Sequence, residues 1–159
     1  MSVRFLLSIF IAAACVAYLL GPQIWHAIPR THSMSKEEYS WAVNKLFPGA
    51  RLPPSARVEN CAKRESAAGK DLDVVIGCSL TLDPHEFDQL VSSAELIGSK
   101  PAMEINASFP APKVGQPFSV AQVYYSSPPE NWTLYGRLMF VDCAKTRVAA
   151  YVRLFAVLD

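Results

Sequence analysis

An α+β domain behind an apolar amino-terminal segment is the fold class that this sequence predicts, and three observations predict it. Residues Phe5 to Leu20 carry no charge, follow Arg4 directly and end at Gly21-Pro22. Two capped helical patterns with one apolar face each stand at Ser35–Phe47 and Asp83–Ala94. The stretches between and after them read as strands. The order is therefore α-β-β-α-β-β-β, with two helices on one face of an antiparallel sheet of about five strands. Residues 1–28 are expected to be a membrane anchor or signal segment, 29–34 a tether and 35–159 a soluble α+β domain.

The amino-terminal run is long for a secretory h-region of roughly 7–15 residues and short for a spanning helix of about 20. Ile24 and Trp25 extend its apolar face, and Trp25 with His26 suits a membrane–water interface. A tilted helix from Phe5 to Ile24 would cover a hydrocarbon core of ~30 Å. Two alternatives stay open: cleavage after the small residues Ala12-Ala13-Ala14, and lipidation at Cys15. Arg4 precedes the run closely while Arg30 and Lys36 follow at a distance, which favours a cytoplasmic amino terminus. The expectation is a single-pass protein of the cell inner membrane, held through residues 5–24, with its carboxy-terminal domain in the periplasm.

Charge excludes several partners. All 14 acids and all bases except Arg4, 14 of 15, follow the anchor, so the formal balance of the chain beyond it is 14 − 14, or zero. No basic stripe is present for nucleic acid and no polybasic cluster for anionic lipid. Cys61, Cys78 and Cys143 match no zinc-ligand spacing. In an oxidising compartment one disulfide and one odd thiol are expected, with Cys61–Cys78 across a hairpin as the preferred pair. The alternative is that all three are small buried hydrophobes.

Each element has its own signal. Ser35 can cap the first helix, Glu38 can complete a capping box and Met34 can staple onto Tyr39. Tyr39, Ala42, Val43, Leu46 and Phe47 form its apolar face until Pro48-Gly49 stops it. Pro53-Pro54 lies in an extended connector. Ala56–Ser66 and Leu72–Leu82 read as a hairpin, the second strand alternating through Leu72, Val74, Ile76, Cys78, Leu80 and Leu82. A loop at Ala68 to Asp71 sets Cys61 opposite Cys78 but turns Glu59 and Lys63 to the apolar side. The competing register turns Val58 and Ala62 there and separates the cysteines.

Asp83-Pro84-His85-Glu86 opens the second helix by the same capping logic, with Asp83 as cap, Pro84 at the first position and Glu86 at the third, and Phe87, Leu90, Val91 and Ala94 line its buried face. From Gly98 to Pro117 the pattern dissolves among Pro101, Pro110, Pro112 and Pro117. A loop of that length in a compact domain is a candidate for function. Strands are expected at Phe118–Ser126, Trp132–Val141 and Arg147–Leu158, the last apolar on both faces and so placed inside the sheet or under a cover.

Catalytic chemistry is sparse. Beyond the membrane-proximal segment His85 is the only histidine, and no nucleophile elbow, metalloprotease helix, phosphate loop or dinucleotide fingerprint occurs. No catalytic residue, metal ligand or cofactor is expected. Sequons at Asn106 and Asn131 fall in loop or turn regions. Partner-binding candidates are Tyr124, Tyr125, Trp132 and Tyr135 around the third hairpin, with Phe109 and Lys113 in the Pro-rich loop.

Leu52-Pro53-Pro54-Ser55-Ala56, a hairpin, and then Leu82-Asp83-Pro84-His85-Glu86-Phe87 together resemble a pattern in small envelope-facing bacterial proteins behind an amino-terminal anchor. Some of these are immunity proteins that protect a cell against toxins delivered by type VI secretion. The resemblance spans Arg51 to Leu90 and brings no functional residue with it. It implies a domain that binds and occludes a toxin. The alternative expectation is a structural or assembly component of the cell envelope.

Overall fold

The computed structural model describes residues 29–49, 51–68, 71–94, 96–102, 112–126 and 136–157. Strands β1 (Arg30–Ser33), β2 (Arg57–Ala68), β3 (Asp71–Thr81), β4 (Gly98–Pro101), β5 (Gln122–Tyr125), β6 (Gly136–Val141) and β7 (Arg147–Val157) form one antiparallel sheet. Helices α1 (Lys36–Leu46) and α2 (Phe87–Ser93) complete the fold, a short 3-10 turn at Pro84–Glu86 leading into α2. The strand order is β1-β2-β3-β7-β6-β5-β4. The sheet's centre is thus β3 against β7, paired from Asp71↔Val157 to Thr81↔Arg147.

The sheet has seven strands where about five were expected. The two extra strands are its edges. Residues 29–34, expected to be a tether, contain β1, paired with β2 from Arg30↔Glu65 to Ser33↔Ala62. The expected loop from Gly98 begins as β4, paired with β5. Each has four residues, is exposed along much of its length and lacks an apolar alternation. Hydrogen bonds from the neighbouring strand, rather than burial, hold them extended. Short polar edges, one ending in Pro101, also discourage pairing with a second chain. Strand β5 is shorter than expected because Phe118 lies outside the ladder.

Local chemistry explains the helices. The Ser35 N–H donates to Glu38 Oε2 at 2.8 Å, the return half of the expected capping box. That bond is the main reason why the Glu38 carboxyl is held below its ordinary value. Met34 is buried in the core with Leu46 and Phe47, and its N–H donates to the Cys61 carbonyl at 2.9 Å. At the start of the 3-10 turn, Asp83 Oδ1 accepts from the His85 N–H at 3.0 Å. Glu86 does not close a box there. Its Oε2 accepts from the N–H and the hydroxyl of Ser55, at 3.0 and 2.6 Å, while the Asp83 N–H donates to Ser55 Oγ at 2.8 Å. The two short motifs at Leu52–Ala56 and Leu82–Phe87 therefore meet as a clasp that fixes the entry to α2.

The β2–β3 register settles the choice between the two pairings, and a bulge reconciles most of their demands. Cys61 stands opposite Cys78, and the chain slips by one residue between Val58 and Asn60. Glu59 is thereby left exposed while Val58 faces Leu80 and packs on the core. Ala62 turns to the opposite face, where it is also buried. Lys63 does lie on the helix-covered side, and it pairs with Glu65 at 2.9 Å. The disulfide is formed, with a sulfur–sulfur distance of 1.99 Å and both cysteines buried.

Both helices bury their apolar faces on the same side of the sheet. Ala42, Leu46, Phe87 and Leu90 join Ile76, Cys78, Leu80, Met139, Val141, Val148 and Ala150 in one core cluster. Strand β7 is buried on both faces over Val148–Val152, as its double apolar pattern predicts. Among the described residues no helix is long and apolar enough to cross a membrane. The expected anchor at residues 5–24 lies outside the described residues.

Candidate functional site: a cleft on the helix-free face

The face of the sheet away from the helices is covered by irregular chain. Residues Pro112 to Val120 cross it, and Val114 packs with Ala62, Ala149 and Tyr151. Two glycines permit this close approach. A Cβ on Gly77 would lie 2.6 Å from the Tyr151 ring and 3.3 Å from Val114, so β3 must be bare there for the ring to lie across it. Gly115 adopts φ +63°, and a Cβ on it would lie 2.5 Å from Ser79 Oγ. Only glycine fits that conformation and that gap without displacing the crossing segment.

Arg147 fastens the other end of the segment. Its guanidinium donates to the Gln116 carbonyl at 3.0 Å and sits 5.2 Å from the centre of the Phe118 ring. Between segment and sheet runs a cleft of about 570 Å³, lined by Val114, Phe118, Val120, Phe140, Ala149 and Tyr151, with Lys113 and Gln116 at its rim. Phe140 and Tyr151 meet edge to face at 5.6 Å and form part of the floor. Burial pushes the Tyr151 phenol up to about 12, so it stays protonated throughout the physiological range. A second recess, of about 500 Å³, opens beside Pro29, Thr31, Arg64 and Lys113. Lys113 belongs to both.

Farther along the same face, Arg153 grips Asp73 through two bonds of 2.8 Å. This bidentate pair bridges the central strands, and the Asp73 carboxylate raises the Arg153 pKa. Ser79 Oγ, beneath Gly115, is buried without a hydrogen-bond partner among the described residues. The size and apolar lining of the larger cleft are those of a ligand site, with a few polar groups at the margin.

The residues singled out from sequence fall in different places. Tyr124 turns to the helix-covered side, where its ring packs edge to face on Phe87 at 5.4 Å. Tyr125 is half-buried on the opposite face, against Gly98. Lys113 is exposed at the junction of the two recesses. Phe109, Trp132, Tyr135 and the sequons at Asn106 and Asn131 lie outside the described residues. His85 is exposed in the 3-10 turn, and among the described residues no group of three or more His, Cys, Asp or Glu is placed to hold a metal ion.

Sequence reading missed Phe118, Phe140, Tyr151 and Arg147 as members of a site. The double apolar pattern of β7 was the available signal, because a second buried face requires a cover, and the nearest chain without a partner element was the Pro-rich stretch. Comparison with protein-family models, with curated proteins and with solved structures finds no match for this chain.

Proposed function

We propose that this chain is a binding domain displayed outside the cytoplasm and anchored at the inner membrane, and that its partner is a protein. Its specific form, on this reading, is an immunity protein that occludes a toxin delivered by type VI secretion. The observation that carries the proposal is the open cleft on the helix-free face, rimmed by the described part of the Pro-rich segment already singled out for function. An apolar recess flanked by polar groups suits an inserted side chain from a partner better than it suits bond-breaking chemistry. The buried Cys61–Cys78 bridge supports an oxidising compartment.

Labelling, crosslinking and protection measurements test this. Cys143 is exposed and free, so a membrane-impermeant maleimide should label it in cells whose outer barrier has been opened. Protection of Cys143 until the inner membrane is breached would overturn the location. A photo-crosslinking residue at Gln116 in the full chain should trap one secreted toxin, whereas the same residue at Ser92 on α2 should not. Undiminished protection against that toxin after Gly115→Trp, which cannot preserve the crossing segment, would overturn the proposed surface. A growth or shape defect on deletion without any attacker would instead favour an envelope-assembly role.

A further inference from the structure

We propose that the cleft and the recess beside it form one amphipathic site that binds a long-chain fatty acid, with the acyl chain in the cleft and the carboxylate between Lys113 and Arg64. The inference goes beyond the protein-partner reading and needs only the cleft and these two cations.

Shape and lining favour a chain-like apolar ligand. The floor is Phe140, Ala149 and Tyr151, the wall is Val114, Phe118 and Val120, and the volume of about 570 Å³ lies within the range of small-molecule sites, roughly 300–1,000 Å³. The lining includes no acidic side chain among the described residues. With the phenol of Tyr151 held neutral, no anion from that ring opposes an acyl chain.

Charge selects the head group. Among the cations of this face, Lys100 and Arg57 line neither recess, and two others near the cleft are already committed. Arg147 holds the Gln116 carbonyl and the Phe118 ring, and Arg153 holds Asp73. Arg64 and Lys113 line the adjoining recess, and neither makes an ion pair within the described residues. Glu59 Oε2 lies 3.7 Å from where a Cβ on Gly115 would stand, and it makes no ion pair with Lys113 among the described residues. Arg64 shares a small recess with Asp73, but both oxygens of that carboxylate accept from Arg153. Two cations without an ion pair among the described residues, beside an apolar cleft, suit a single carboxylate attached to a long alkyl chain. A neutral alkyl ligand would leave both unused, and a compact polar anion would leave the cleft empty.

The test uses the full chain in membranes and a photoactivatable diazirine analogue of palmitic acid, with the corresponding alcohol as its uncharged control. Irradiation followed by peptide mapping should place adducts on the segments that contain Val114–Val120, Phe140 and Ala149–Tyr151, and excess palmitate should suppress them. Reversing both charges, Lys113→Glu with Arg64→Glu, should lower adduct yield at subsaturating probe about tenfold or more, while Lys113→Arg should retain it. Val120→Trp, which narrows the cleft from its wall, should also lower the yield, with the disulfide and circular dichroism checking that each variant is folded. Equal labelling by the alcohol, yields unchanged by charge reversal, or adducts spread over α1 and α2 would each overturn the proposal. A toxin-capture experiment reads none of these quantities, so failure of the partner reading and failure of this one are distinguishable.

Discussion

On one side of the sheet, Phe87 and Leu90 of α2 and Leu46 of α1 lie fully buried against Ile76, Leu80 and Met139, and a disulfide runs beneath the helices. On the other side, Phe118 and Phe140 stay partly exposed, and cover comes from an irregular segment pinned at Gly115 and Arg147. Helices supply close-packed ridges that exclude ligands, whereas a crossing segment without regular structure leaves gaps between its attachment points. The covered face thus maintains the fold, and the incompletely covered one is free to hold a ligand.

Mutating each face should expose this difference. Phe87→Ala removes a ring with no solvent exposure and should cost about 3–5 kcal/mol, whereas Phe118→Ala should cost about 1 kcal/mol because its ring is only partly buried. Equilibrium urea unfolding reads both, and equal losses would erase the distinction. Replacing Cys61 and Cys78 together by alanine should lower stability by about 3 kcal/mol, given their separation of 17 residues, and should make the melt insensitive to reductant.

The helix-free face can be tested by pH. The raised Tyr151 pKa means that the folded state resists deprotonation, so stability is full below the unfolded value near 10 and falls as pH rises toward about 12. The loss should be on the order of 2 kcal/mol and should vanish in Tyr151→Phe. A flat profile would mean that water reaches the floor of the cleft. A modest change is expected at the clasp between the motifs. Ser55→Ala removes the hydroxyl that donates to Glu86 and accepts from Asp83, for a loss of about 1–2 kcal/mol without effect on ligand binding.

Elements whose signal is local were legible in the sequence. The cap at Ser35, the apolar face from Tyr39 to Phe47 and the alternation from Leu72 to Leu82 each occupy one short stretch and point to one conformation. Strand β7 was legible too, and its two apolar faces foretold a place inside the sheet. Edge strands β1 and β4 were not, because Arg30–Ser33 and Gly98–Pro101 are held by neighbours and bury little of their own. Glu86 illustrates a nearer miss: its spacing from Asp83 suggested a local cap, but Ser55 across the fold offered two donors. The cysteine register was ambiguous for a different reason. Either pairing satisfied some residues, and the bulge at Glu59 satisfies Val58 and the disulfide together. The cleft joins residues distant in sequence, and no periodicity records which face an irregular segment will cross.

The position of the Cys61–Cys78 bridge also governs how the domain would respond to mechanical load. Tension applied at Pro29 would first peel the four pairs of β1 from β2, then unravel α1 and reach β2 at Arg57. Rupture of the β2–β3 ladder would advance past Asn60 only as far as Cys61, where the covalent link passes the force directly into β3 at the centre of the sheet. The closed loop from Cys61 to Cys78 would carry no tension, and the floor of the cleft on β6 and β7 would keep its shape while the amino-terminal edge was pulled away.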